Sequence, residues 1–237
     1  MPGWNNIRAL ILLGLLLSTV GCSPVQASSP KTTAADRPPP TGVFDSYEFR
    51  GTLTALKNWQ RVLPLGDDEM NRFSSPQQDT GIRAAREWQQ VVTQLTDAPL
   101  MEQLKTVNRF FNRWPYRLDR EVWQKKDYWA TPLEFLRHSG DCEDYAICKY
   151  FALRHLGVAP DRMRIVILHD TIRTITHAVL AVYTQNDILI LDNLSDPVFS
   201  HHRYQHYLPQ YSVNENTRWI HIKPRSTALP TRTDTGE

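Results

Sequence analysis

The chain has 237 residues, with 27 Lys+Arg against 25 Asp+Glu and a hydrophobic fraction of 41%. That balance excludes a disordered chain, which would be less apolar or more highly charged. It also offers no basic excess to neutralise nucleic-acid phosphates, so no nucleic-acid partner is expected. The length suits one domain or a tight pair, and the three cysteines, Cys22, Cys142 and Cys148, are too few for a disulfide framework.

The N-terminus reads as a secretory signal. Arg8 is its lone charge, and Ala9 to Val20 is a Leu-rich run too short to span a bilayer. Two cleavage readings compete. Val25-Gln26-Ala27 fits an ordinary signal peptidase, making residues 1–27 the signal. Thr19-Val20-Gly21-Cys22 resembles a lipobox, which would end the signal at residue 21 and lipidate Cys22. Both readings place the mature chain in the periplasm, free or lipid-anchored. Residues 28–42, rich in Ser, Thr, Ala and Pro, are expected to be a linker, and residues 224–237 a loose tail. Residues 43–223 form the expected globular domain.

Its first half reads helical. Asp79 to Leu95 carries Ile82, Ala85, Trp88, Val91 and Leu95 near 3.6 spacing. Pro99 to Arg113 has Leu100, Leu104, Val107, Phe110 and Phe111 on one side. Thr131, Pro132 and Glu134 spell a capping box with Pro at N1, opening a short helix that stops at Ser139-Gly140. Asp141 then caps a second helix, which runs through Tyr145, Cys148, Ala152 and Leu156 to Gly157. Beyond it the period becomes two. Arg164–Leu168, Thr176–Tyr183 and Ile188–Leu191 predict strands, with a turn over Thr184 to Asp187. Helices followed by an antiparallel sheet indicate an α+β fold.

Cys142 falls on the first turn of the second helix, where free N–H groups and the helix dipole favour a thiolate. Cys148 lies on the apolar stripe and reads as a small hydrophobe. The two sulfurs cannot pair, because six helical residues separate their Cα atoms by about 9 Å. A thiol needs a base, and the base an orienting group. His177 opens one predicted strand and Asp192 closes the next. A two-residue loop would set them opposite each other, and a four-residue loop would leave them on diagonal sites. Either register puts both on one face. Asp170 and Asp196 are the rival acids. His169, His201, His202 and His206 read as surface or loop residues, while Tyr128 and Trp129 fit core and groove equally well. Asp141, Glu143 and Asp144 crowd the thiol and oppose its ionisation. The helix dipole explains acids there in part. A cation would explain them too, and carboxylate oxygens favour calcium.

Three segments together carry a resemblance: Asp127-Tyr128-Trp129-Ala130-Thr131-Pro132, Gly140-Asp141-Cys142-Glu143-Asp144-Tyr145 and His177-Ala178-Val179-Leu180-Ala181. Joined by Leu191-Asp192-Asn193-Leu194, they resemble the bacterial transglutaminase-like cysteine proteinases, which include the LapG-type periplasmic proteases. The likeness spans Val107 to Trp219. It implies a papain/transglutaminase-like fold, with a helical N-terminal part packed on an antiparallel sheet and the catalytic Cys at a helix N-terminus. It also implies a Cys142, His177, Asp192 triad and calcium (Ca2+) held at Asp141, Glu143 and Asp144. The implied substrate is the N-terminal region of a large surface adhesin, cut at an Ala-Ala-like site to release it and disperse biofilm. The implied partner is a LapD-type inner-membrane receptor for cyclic di-GMP. Membrane contact would come only through that receptor or a lipid on Cys22. Two departures stand out: Lys125 lies where a glycine is expected nearby, and Cys148 replaces an expected alanine. Two other readings share these residues, a transglutaminase-type acyl transferase and a non-catalytic calcium-binding partner module.

Overall fold

A computed structural model of the chain describes residues 42–224. The expected signal with its two cleavage readings, all of the linker except Gly42, and all of the tail except Pro224 lie outside the described residues. Gly42 itself is buried and bridges to Ser46, so it belongs to the folded part rather than to the linker. Among the described residues no helix is long and apolar enough to cross a membrane.

Among the described residues six α-helices and seven strands follow in chain order: β1 (Tyr47–Gly51), α1 (Lys57–Ser74), α2 (Ala85–Leu95), α3 (Leu100–Phe111), α4 (Asp119–Val122), α5 (Pro132–His138), α6 (Cys142–His155), β2 (Met163–Asp170), β3 (Ile175–Tyr183), β4 (Ile188–Asp192), β5 (Ser195–Ser200), β6 (Tyr207–Val213) and β7 (Arg218–Ile222). The strands form one sheet in the order β1-β7-β6-β2-β3-β4-β5, antiparallel throughout. The α+β expectation holds, with the helical part on one face of the sheet.

α6 explains that layering. Its apolar positions predict a broad buried stripe, and in the structure burial goes further: Cys142 to Leu153 are all buried, including Lys149. It lies between β2–β4 on one side and α1, α3 and α5 on the other. A helix covered on both sides has no solvent face to keep polar, so its sequence is apolar nearly all round. The interior beside it is aromatic. Trp59 packs edge-on against Tyr150 at 5.6 Å and stacks with Phe151 at 6.0 Å, while Trp88 tilts against Phe110 and Phe111, both at 4.9 Å. The opposite face of the sheet buries Val166, Leu168, Val179 and Ala181 beneath Phe44, Tyr204 and Tyr207.

The helix starts are set by short-range chemistry. Thr131 and Glu134 form the expected capping box, with each side chain taking the other's backbone N–H. At α6, Asp144 reaches back to the N–H of Asp141 at 3.2 Å. Gly140 leaves room for this, because a Cβ there would stand 2.0 Å from Asp144 Oδ2. Gly157, at φ +90°, ends the run as expected. α2 starts at Ala85, six residues later than the periodicity suggests.

Candidate active site

The β3–β4 hairpin settles the loop length. Tyr183 pairs with Ile188 and Leu180 with Leu191, the register of a four-residue loop. His177 and Asp192 therefore take diagonal sites, and they meet: His177 Nε2 lies 2.9 Å from Asp192 Oδ1. Both are buried, at 2% and 1% exposure. The register shifts between Ile190 and Asp192 against β5, so a bulge re-aims the strand end that carries the acid.

Asp192 is thoroughly held. Oδ1 also accepts the Leu194 N–H at 3.0 Å, and Oδ2 accepts the Tyr207 hydroxyl at 2.7 Å. Burial works to raise this carboxyl, but the hydrogen bond and charge of His177, aided by Leu194 and Tyr207, hold it below the usual range. Asp192 is thus kept as a carboxylate against His177. The rival acids are engaged elsewhere: Asp170 pairs with Arg173 at 2.9 Å and accepts turn N–H groups, and Asp196 accepts from Asn112.

Cys142 opens α6 and faces the hairpin. With His177, Ala178, Glu143, Trp129 and Tyr211 it lines a cleft of about 130 Å³. With Nε2 taken by Asp192, His177 Nδ1 is the ring nitrogen left for the thiol. The thiol's ionisation departs from the helix-terminus expectation. Burial first, then the charges of Glu143 and Asp141, push it well above its ordinary value, with the Ala178 backbone N–H opposing the shift. The thiol itself donates to Glu143 Oε2 at 3.2 Å. The helix terminus is outweighed by two adjacent carboxyl groups in a low-dielectric setting.

Those acids belong to a larger cluster. Carboxylate oxygens of Asp119, Asp127 and Glu143 lie within 4.8 Å of one another, as do those of Asp119, Asp141 and Asp144, and Asp141 and Glu143 converge beside Cys142. Burial, followed by Asp141, raises Asp119 to about 6. Burial and Glu143 raise Asp141 to about 8, and burial foremost raises Glu143 to about 7. Buried Asp119 Oδ1 and Asp141 Oδ1 have no hydrogen-bond partner. Orphaned hard oxygens amid mutually repelling carboxylates fit a hard divalent cation such as calcium. Asp144 shares the cluster with Asp119 and Asp141 and has a second task besides. Its Oδ1 accepts the Ala130 N–H at 2.6 Å and its Oδ2 the Asp141 N–H, so it braces the backbone around the cluster.

Sequence reasoning missed Asp119, Asp127, Tyr207 and Tyr116. Asp127 lies inside a quoted motif, which was the available signal. Tyr116 pairs with Gly140 in an isolated bridge, and burial first, then Cys142 and the acids beside it, push its hydroxyl's pKa up. Trp129 is buried and also lines the cleft, so core and groove are both true of it. Tyr128 is structural, donating to Glu134 at 2.9 Å. Gln124 takes a left-handed φ of +54°, which accounts for a glycine expected beside Lys125. Of the supposed surface histidines, His201 is buried, accepting the Phe44 N–H at Nδ1.

The family model of the bacterial transglutaminase-like cysteine proteinases matches residues 72–227. Three solved structures of Legionella pneumophila LapG are similar. One is 32% identical, covers 65% of this chain and 85% of LapG, and has a TM-score of 0.56. The calcium-bound form is 31% identical, covering 65% and 87%, with a TM-score of 0.56. The EGTA-treated form is 32% identical, covering 68% and 88%, with a TM-score of 0.57. A search of curated proteins finds no match.

Proposed function

The chain belongs to the bacterial transglutaminase-like cysteine proteinases, and from that premise we propose that it is a calcium-dependent periplasmic cysteine endopeptidase with Cys142 as nucleophile, His177 as base and Asp192 as orienting acid. The observation that carries this reading is the buried 2.9 Å bond between His177 and Asp192, on the wall of the cleft that Cys142 lines. The chemistry follows from these groups. His177 Nδ1 takes the thiol proton as Cys142 Sγ bonds the scissile carbonyl carbon. The C–N bond then breaks as His177 returns that proton to the leaving amine. Water attacks the thioester, giving a proton to His177, and the C–S bond breaks to release the acid and restore the thiol. Asp192 holds the imidazole and stabilises its charged form. The Cys142 N–H and the Tyr116 hydroxyl are the donors at hand for the oxyanion.

Asp119, Asp127, Asp141 and Glu143 would hold calcium. When bound, it supplies positive charge beside the thiol, offsetting the carboxylate repulsion that keeps the sulfur protonated. The relative named as calcium-bound supports this assignment. The substrate we propose is the N-terminal region of a large surface adhesin, cut at an Ala-Ala-like site. The narrowness of the cleft, walled by Trp129 and Tyr211, favours small residues at the scissile bond. Release of that adhesin would promote biofilm dispersal, and a LapD-type cyclic di-GMP receptor is the proposed partner.

The test is to incubate the protein with such an adhesin fragment and map new N-termini by mass spectrometry. Cleavage that stops with Cys142→Ala and with chelator is the expected result. Incorporation of a labelled amine without a new N-terminus would replace this reading with acyl transfer.

A further inference from the structure

Lys149 is fully buried, on the face of α6 that meets α3. Its ammonium donates to Asn108 Oδ1 at 2.7 Å and lies 5.8 Å from the centre of the Tyr145 ring. Asn108, also buried, turns its Nδ2 to two carbonyls where β5 leaves the β4–β5 turn, Ser195 O at 2.7 Å and Asp196 O at 2.9 Å. One helical turn on, Asn112 Nδ2 donates to Asp192 O at 3.0 Å, Ser195 O at 3.3 Å and Asp196 Oδ1 at 3.1 Å. An ammonium can only donate, so it must meet the oxygen of the Asn108 amide. That choice forces the amide nitrogen toward the turn. The arrangement therefore has a direction, from Lys149 through Asn108 to the backbone that carries Asp192.

A buried lysine with one neutral partner is costly, and an apolar residue would fill the same space without that cost. Burial pulls this ammonium down to about 7, with Asp192 and Asp196 opposing the shift. Lys149 also sits two turns along the helix that Cys142 opens, so one helix bears both the nucleophile and the donor that orders the acid's turn.

We propose that Lys149 is a positioning residue for the proteolytic reaction, acting through Asn108 to hold the β4–β5 turn so that Asp192 meets His177. The inference rests on the triad reading given above. Its test uses iodoacetamide alkylation of Cys142 at pH 6 in calcium-containing buffer, with the label located by peptide mass mapping. The proton NMR signal of the His177–Asp192 hydrogen bond is recorded in parallel. Lys149→Met keeps the volume and removes the donor. The expected result is alkylation slowed roughly tenfold to a hundredfold, as a misplaced catalytic group entails, with loss or upfield movement of the NMR signal. In an Asp192→Asn background the same substitution should slow labelling no further.

If Lys149→Met lowers thermal stability while the labelling rate and the NMR signal stay parental, the inference is overturned and the triad reading survives. The same holds if its effect multiplies fully in the Asp192→Asn background. If Asp192→Asn alone leaves Cys142 labelling parental, the triad reading falls and this inference with it. Should Lys149→Met not fold, Asn108→Asp decides the matter. It keeps an oxygen for the ammonium and removes the Nδ2 that holds Ser195 and Asp196, so slowed labelling supports the inference and parental labelling refutes it.

Discussion

Tyr207→Phe isolates one hydrogen bond at the heart of the site. The ring stays packed, edge-on to Phe44 at 5.5 Å and stacked on Tyr204 at 4.9 Å, and phenylalanine keeps both contacts. What disappears is the hydroxyl that donates at 2.7 Å to Oδ2 of Asp192, a carboxylate only 1% exposed. A hydrogen bond to a buried charge contributes about 1.5–3 kcal/mol, and its loss leaves the acceptor desolvated. For a domain of this size each kcal/mol moves Tm by about 2–4 °C, so the expected fall is roughly 3–12 °C. The pH dependence has a definite sign. The Asp192 carboxyl lies below its unfolded value, so its contribution is full above an unfolded pKa of about 3.9 and is lost as pH falls through the lower native value. The gap between parent and variant should therefore be complete at pH 7 and close in acid. Thermal melts followed by circular dichroism from pH 7 to 3 measure it. A variant that melts with the parent at pH 7 would refute the claim that Tyr207 holds Asp192.

Two further expectations follow from buried groups. His221 accepts or donates to Ser212 at 2.8 Å and Ser46 at 3.0 Å, and burial pushes its pKa down to about 4. Its unfolded value is about 6.5, so stability should fall as pH drops from there toward 4. His221→Gln should flatten that slope in urea melts, and an unchanged slope would count against a neutral buried His221. Gly140→Ala would drive a methyl into Asp144, costing about 1–3 kcal/mol from overpacking and disturbing the brace at Ala130 and Asp141. Calorimetry should show both a lower Tm and weaker calcium binding. Parental values for both would show that the helix start tolerates the methyl.

The sequence made the centre of the site more legible than its surroundings. Cys142 could be placed because helix caps are written in adjacent residues, and His177 with Asp192 because strand period two leaves only one face for both. The loop length was open, since Thr184 to Asp187 suits either register, and the pairing of Tyr183 with Ile188 resolves it. Tyr207 and Asp119 were not legible. Each reaches the site from an element distant in sequence, and neither carries a local pattern that marks its target. β1, β5, β6 and β7 were also missed: burial along β1 and β5 does not alternate, β6 carries Pro209, and β7 buries His221 while exposing Ile220 and Ile222. α1 was obscured by Pro64 and Gly66 inside the helix. The acids beside the thiol and their opposition to its ionisation were legible, but only the fold brings Asp119 and Asp127 to Glu143 and buries the thiol.

Cys142, as the proposed nucleophile, depends for its activation on charge compensation in the carboxylate cluster. The direct measurement is the rate of Cys142 alkylation by limiting iodoacetamide between pH 5 and 9, with calcium and with chelator. With calcium, Cys142 should label well below the free-thiol pKa of about 8.5, and chelator or His177→Ala should suppress that labelling. Labelling no faster than at an ordinary thiol, and the same with and without calcium, would contradict it.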